Sequence, residues 1–401
     1  MPGRRKPKPL SSYLKSASIF LVAILAAEIS VAGELRRSMS FIRPLLMGDA
    51  YVAVADEAST LFYNPAGIVR LPENSVEFPT FQFLMDERIR KAITDPESLS
   101  GEFEGVDETN FRSRLNETVF FDFNMRFPVI VRAESDVAFG LGVEVLTFFE
   151  ILGNPVFPGL HLEFFADQVL FLSLGHRLSE NLAFAYTPKI INRIGIDKFL
   201  TFGEIFAAGS TASIENDQAF KDLSEGKNFT KFGMDIGFLY KFQFWKSWFP
   251  RGGLSFLNIG GVDDSDKIKG IEFGPRPSPF EPPQAGELPQ INTFGFAVSP
   301  VFTGIRYTIA LDVVDFTRTV LPGKDWKKRS RLGVEMGLGP RRDGTALLAI
   351  LAGLNASHFS FGVLSRVWIY EIGFGSYTVE LGNEAGDKPS DRFAFIFGFR
   401  F

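Results

Sequence analysis

Three histidines, His161, His176 and His358, and no cysteine at all limit the chemistry this chain can do. The histidines have no metal-ligand spacing, and neither a zinc-protease nor a Gly-x-Ser-x-Gly pattern occurs. Without cysteine there is no disulfide framework, thiolate metal site, thiol nucleophile or lipid anchor on sulfur. His358 and Ser360 share one strand face, where a base and its nucleophile could meet. Of the fuller Gly-His-x-Ser-Asn-Gly pattern only His358, Ser360 and Gly362 are present, so no catalytic residue is assigned. Gly373-Phe-Gly375 lacks the following helix that a nucleotide loop needs, which leaves it as a strand flexure. No cofactor or metal is implied.

The remaining candidates are charges that alternate with apolar residues: Asp122, Arg126, Glu144, Lys231, Asp235, Arg306, Asp312, Glu335 and Glu371. A guanidinium can grip both oxygens of a carboxylate, so Arg126 and Arg306 are candidate ligands for an amphipathic molecule. The alternative is that these charges pair with one another.

Side chains of a strand point alternately to its two faces, so such spacing requires strands with one polar and one apolar surface. The last segment shows it plainly: every odd position from Phe393 to Phe401 is Phe, against Ala394, Ile396, Gly398 and Arg400. The same alternation recurs at 119–131, 137–145, 232–242, 305–313, 332–338 and 368–374. With 45 Phe in 401 residues, no apolar run in the exported part approaches the ~20 residues of a membrane helix. Apolar-out, polar-in strands of about ten residues are what a lipid-embedded barrel requires, and turn signals give about fourteen of them. A sandwich core is the competing reading of any one strand. The apolar phase slips between Val76 and Phe81, with Pro79 between them, which predicts a bulge in the first strand. Trp245, Trp248, Trp326 and Trp368 fall at expected strand ends or turns, where amphipathic rings favour the membrane boundary.

Residues 1–32 read as a secretory signal: Arg4, Arg5, Lys6, Lys8 and Lys15 precede an apolar run, and Ser30-Val31-Ala32 offers a cleavage site. Cleavage there removes cations from a chain already at −5, which argues against a nucleic-acid partner. Short links at 133–136, 179–181, 299–304, 340–344 and around Ser365 alternate with longer ones at 86–116, 195–228, 260–289, 315–328 and 382–390. That asymmetry puts both chain ends in the periplasm, with 355–358 as the one exception.

Between the signal and the first strand, residues 46–67 lose strand alternation after Ala55. Asp56 is placed to cap a helix starting at Glu57, and Pro65 forces Asn64 out of helical geometry. The run Ala55-Asp-Glu-Ala-Ser-Thr-Leu-Phe-Tyr-Asn-Pro-Ala-Gly67 resembles the N-terminal hatch of the FadL/TodX superfamily of outer-membrane transporters, including its Asn64-Pro65-Ala66 motif. Ending on Phe, with Phe399 two residues earlier, resembles the signal by which the barrel assembly machinery recognises its substrates. The resemblance implies an all-β transmembrane antiparallel barrel at 73–401, a helical hatch at 33–72 lying in the lumen, and the motif Asn64, Pro65, Ala66 and Gly67 within it. It also implies passive passage of hydrophobic, fatty-acid-like molecules, an outer-membrane lipid environment and no enzyme activity. Within the superfamily the chain looks closer to the branch that includes PorV, which implies as the alternative an outer-membrane component of a secretion system that binds a secreted protein.

Strand parity makes an orientation test available: a tag placed within 260–289 should be labelled on intact cells, and one within 133–136 should not. Labelling of the short link from outside would mean that the parity is wrong.

Overall fold

The computed structural model describes residues 40–71, 74–94, 118–132, 136–154, 159–201, 229–260, 288–317, 325–340, 346–381, 385–386 and 389–401. The expected signal at 1–32 lies outside them. One antiparallel sheet runs through β1 (Ser75–Asp86), β2 (Thr118–Arg132), β3 (Val137–Asn154), β4 (Gly159–Arg177), β5 (Leu182–Thr201), β6 (Phe229–Lys241), β7 (Arg251–Ile259), β8 (Ile291–Val298), β9 (Val301–Phe302), β10 (Ile305–Val314), β11 (Ser330–Pro340), β12 (Ala346–Asn355), β13 (His358–Val367), β14 (Tyr370–Glu380) and β15 (Pro389–Arg400). β9 is a two-residue piece of the turn before β10. Without it, fourteen strands form a ring in which β8 pairs with β10, β10 with β11, and β15 with β1.

Closure follows from the medium. Lipid offers no hydrogen bonds to a free strand edge, so a sheet in a membrane must join its own ends. Here the first and last strands meet, from Glu77 opposite Arg400 to Asp86 opposite Arg392, and Phe401 exchanges both backbone bonds with Val76, at 2.8 and 3.0 Å.

Burial alternates as the sequence pattern requires. Phe232, Phe361 and Phe374 are 70%, 54% and 62% exposed, whereas Asp122, Arg126, Glu144, Asp235, Asp312, Glu335 and Glu371 are buried on the opposite phase. An exposed ring of such side chains is stable only against lipid, so the described wall is that of a membrane-spanning barrel of the outer-membrane type. The expected slip in β1 is present as a register shift between residues 77 and 80 against β15 and between 76 and 80 against β2. Trp245 and Trp248 lie in the exposed β6–β7 turn, Trp368 in the β13–β14 turn, and Trp326 opens a short helix, Trp326–Arg329.

Some links differ from expectation. The turn placed around Ser365 falls at residues 368–369, because the two-residue period of β13 continues through Arg366 and Val367. The link expected from Gly195 begins only after Thr201, since β4 and β5 stay paired from Ala183 to Thr201. β3 and β4 likewise pair out to Asn154 and Gly159, making 155–158 a second short connection on the long-loop end, beside the turn at 356–357.

Deleting β15 should leave the protein off the outer membrane, because β14 and β1 would both present open edges; Phe401→Ala should lower the assembled yield. Heat-modifiable gel mobility of outer-membrane fractions measures this, with normal yield of folded protein as the contrary result.

Candidate functional site

Residues 41–71 belong to no strand of the ring, and nearly all of them are buried. Ile42–Leu46 forms one helical turn, closed by Gly48 and Asp49 at φ 63° and 64°, and Thr60–Tyr63 forms another. The helix expected from Glu57 is thus shorter, and Asp56 caps nothing: its carboxylate is taken by Arg43 at 2.6 Å, a stronger partner than a backbone amide. Pro65 ends the helical turn as expected. Asn64 takes an extended φ of −157°, and Pro65 then opens a 3-10 helix, Pro65–Arg70.

Asn64 is buried and satisfied on every side. Its Oδ1 accepts from the amide of Ala66 at 3.2 Å, and its Nδ2 donates to the carbonyls of Val52 and of Phe238 in β6, at 2.8 and 2.9 Å. The side chain therefore fixes its own turn, joins it to the earlier part of the segment, and ties both to the wall. Gly237 makes the approach possible, since a Cβ there would stand 2.1 Å from Asn64 Oδ1. The same device recurs around the ring: a Cβ on Gly253 would meet the Val52 carbonyl at 2.4 Å, on Gly353 the Gly48 amide at 2.2 Å, on Gly140 Leu61 at 2.5 Å and on Gly175 Ile68 at 2.7 Å. Contacts on β3, β4, β6, β7 and β12 thus reach the segment from different sides of the ring.

Further bonds come from inward polar side chains. Asp312 Oδ2 accepts from the amides of Tyr51 and Val52 at 2.7 and 2.8 Å, Ser360 Oγ accepts from the Gly48 amide at 3.0 Å and donates to the Leu46 carbonyl at 3.2 Å, and Gln82 accepts from the Ile42 amide at 2.8 Å. Arg43 stands at the centre. Its Nε donates to Glu335 at 2.7 Å, and its Nη1 reaches Asp56, Tyr51 and Glu57 at 2.6, 3.2 and 3.3 Å. Glu57 in turn receives Arg366 at 2.5 Å and lies 3.6 Å from Arg400, while Arg366 also holds Glu371 at 2.8 Å. Neither Asp56 nor Glu57 is in a membrane-crossing strand. Burial alone would raise the Glu57 carboxyl, but the guanidiniums of Arg366, Arg43 and Arg400 outweigh it and hold it at about 2. Burial opposes ionisation of Asp56 as well, and Arg43, Arg306 and Arg251 keep it well below the usual carboxylate range.

Of the candidate ligand residues, Arg126 is buried with its guanidinium 4.0 Å from the Phe41 ring centroid and 3.5 Å from Glu77, and Arg306 lies 3.6 Å from Asp56 and 3.8 Å from Glu335. They sit on different strands and do not converge on one point. His358 faces Glu380 at 2.8 Å, and with Ser360 occupied by the segment no activated nucleophile is formed there. No group of acidic or histidine side chains among the described residues could hold a metal. Sequence reasoning missed Arg43 and Arg366. The signal for Arg43 was a single charge inside the apolar run Phe41-Ile-Arg-Pro-Leu-Leu46, which only a buried carboxylate partner makes tolerable.

No family model matches the sequence, and no curated protein does. Solved structures similar to the chain include a Pseudomonas aeruginosa FadL homologue (10% identity, TM-score 0.49, covering 92% of this chain and 99% of that one). The Pseudomonas putida toluene transporter TodX has 10% identity and a TM-score of 0.46 over 93% of this chain and 98% of its own. The Ralstonia pickettii toluene transporter TbuX has 10% identity and a TM-score of 0.44 over 89% and 97%.

Arg43→Leu should destabilise the docked segment by about 3–5 kcal/mol, because Asp56, Glu57 and Glu335 lose a shared buried counter-charge. Arg43→Lys should retain part of it. Protease susceptibility of residues 41–71 in the folded barrel reads the effect, and a fully protected Arg43→Leu segment would contradict it.

Proposed function

We propose that the protein is an outer-membrane channel for passive uptake of small hydrophobic or amphipathic molecules, with residues 33–72 serving as its hatch. The observation that supports this reading is the mode of attachment. The buried segment contributes no strand to the ring, and it is held to the wall through side-chain bonds such as those of Asn64, Asp312, Ser360 and Gln82. Such a segment can shift while every wall ladder stays closed, which a lipid-embedded sheet demands. A segment serving only to stiffen the barrel would need no such independence from the ladders.

In this reading both termini are periplasmic, residues 1–32 are removed on export, and Phe399 and Phe401 are read by the barrel assembly machinery. Fatty-acid-like solutes are the preferred cargo. Arg126 takes their carboxylate once Phe41 leaves its face, because a guanidinium covered by a ring and paired with Glu77 only at 3.5 Å gains from a second carboxylate that it can grip with two hydrogen bonds. Arg306, 27% exposed beside Asp56, is the second contact on the way through.

Asn64→Ala removes the bonds to Val52 and Phe238 together, and should increase uptake of a hydrophobic probe into proteoliposomes; deletion of residues 47–67 should increase it further. Uptake and capture of a secreted protein are measured on the same folded variants. Unchanged uptake with lost capture would identify a secretion role, and no change in either would leave the segment a structural filler and end the proposal.

A further inference from the structure

Three guanidiniums meet at the short-link end of the lumen. Arg177 closes β4, Arg251 opens β7, and Arg70 ends the 3-10 helix of the buried segment. Register brings the two wall residues to one rim: Arg177 lies opposite Ala183, Ala183 opposite Leu239, and Lys241, the next residue on that face, opposite Arg251. Arg70 fills the interval between them. Its Nη2 donates to the carbonyls of Asn181 in the β4–β5 turn and Leu239 in β6, at 2.5 and 3.3 Å. Arg177 and Arg251 reach the other way, to the segment's carbonyls at Val69 and Val54, at 3.2 and 3.0 Å.

Carbonyls carry only partial charge, so these bonds hold the cations without neutralising them. Arg70 has no carboxylate partner, and its Nε is buried without a hydrogen bond, as is that of Arg251. Burial, and then the charges of Arg177 and Arg251, lower the Arg70 guanidinium to about 10. The nearby acids do not balance the three. Asp136 stands 3.9 Å from Arg177 with its side chain 65% exposed, Asp56 is bonded by Arg43 at 2.6 Å, and Glu180, exposed on the β4–β5 turn, forms no ion pair. Lys241 and Lys246, exposed on the same rim, add to the positive side. A concave mouth lined by one sign of charge attracts the opposite sign.

The rim beside these cations is apolar. Leu178 is exposed on the β4–β5 turn, and Phe244 and Trp245 are exposed on the β6–β7 turn. The two turns are joined, since the Lys241 amide donates to the Asn181 carbonyl at 2.8 Å and the Gln243 side chain bonds that of Asn181. We propose that this mouth binds the carboxylate of an amphipathic molecule, its head held by Arg70 and Arg177 and its tail laid on Leu178, Phe244 and Trp245. Arg251 adds charge from behind. The half-buried Arg70 and the 31% exposed side chain of Arg177 keep the head group's seat open to solvent. An inorganic anion would meet the same cations and gain nothing from the apolar rim. That the molecule arrives through the lumen rests on the channel reading above, whereas the site itself does not.

The test is calorimetric titration of the folded, full-length barrel in detergent with hexanoate, with hexanol as the probe lacking charge and inorganic phosphate as the probe lacking a tail. Hexanoate should bind at one saturable site, and the other two at least about tenfold more weakly. Arg70→Gln should weaken hexanoate binding by about tenfold or more, the usual loss for a charge-assisted bond. Arg70→Lys should retain part of it, and Lys246→Gln should change it little. If Arg70→Gln gives no heat-modifiable form, Arg177→Gln decides in its place. Absence of saturable hexanoate binding, equal binding of hexanol or of phosphate, or binding that the decisive variant leaves unchanged would each overturn the proposal. Binding requires no transport, so uptake of a hydrophobic probe into proteoliposomes is scored separately. Normal uptake without the hexanoate site would overturn this proposal alone, while hexanoate binding without uptake would support the site and end the channel reading.

Discussion

Every level of this structure answers to one constraint: in lipid, a sheet must satisfy its own backbone. The ring closes where β15 meets β1, and closure turns a long alternating sheet into two surfaces with opposite solvents. The outer surface can be uniformly apolar because nothing but acyl chains meets it. The inner surface cannot be left as fourteen strands of unpaired polar side chains around a void. Residues 41–71 supply the partners, which is why inward Asp312, Ser360 and Gln82 bond the segment's backbone rather than one another.

Filling a lumen with chain brings its own cost. Loops of a buried segment expose amides and carbonyls that no water reaches, and each needs a partner. Asn64 handles the sharpest turn by bonding forward to Ala66, back to Val52 and outward to Phe238. Arg43 handles charge. A lone guanidinium in the lumen would be prohibitive, as would Asp56, Glu57 and Glu335 together, but assembled they neutralise most of one another's field, and Arg366 and Arg400 complete the balance. Breaking a single member leaves the others uncompensated, so the cluster acts as one clasp.

The ring was legible in the sequence because its period is two and its faces differ so sharply. Phe393 to Phe401, or Val119 to Phe127 against Asp122, Asn124 and Arg126, determine which face is which with no knowledge of neighbours. The β1 bulge was legible for the same reason, as a break in phase at Pro79. The turn at Asn64-Pro65 was legible because proline constrains the residue before it. What could not be read were relations between residues far apart in the chain. Arg43 and Glu335 are separated by 292 positions, and nothing local marks them as partners. Asp56 was misread as a helix cap because capping is a local rule, and a distant guanidinium overrode it. The long pairing of β3 to β5 escaped because the apolar phase alone does not say where a hairpin ends.

Glycine placement carries information of the same non-local kind. In a strand a glycine is ordinarily a weakness, and many of these sit on the inward phase where a side chain could have filled space. Gly237, Gly253 and Gly353 are instead the points at which another backbone must come within contact distance, as the Cβ collisions at Asn64, Val52 and Gly48 demonstrate. They define the arc of wall to which the segment is fitted. β1 and β2, which carry no such glycine, meet it through the tips of Gln82 and Arg126. Close backbone packing resists displacement over its whole area, whereas a few side-chain tips can be exchanged for water one at a time. The segment is therefore held unequally around the ring, with less close backbone contact on the side where Phe41 rests on Arg126.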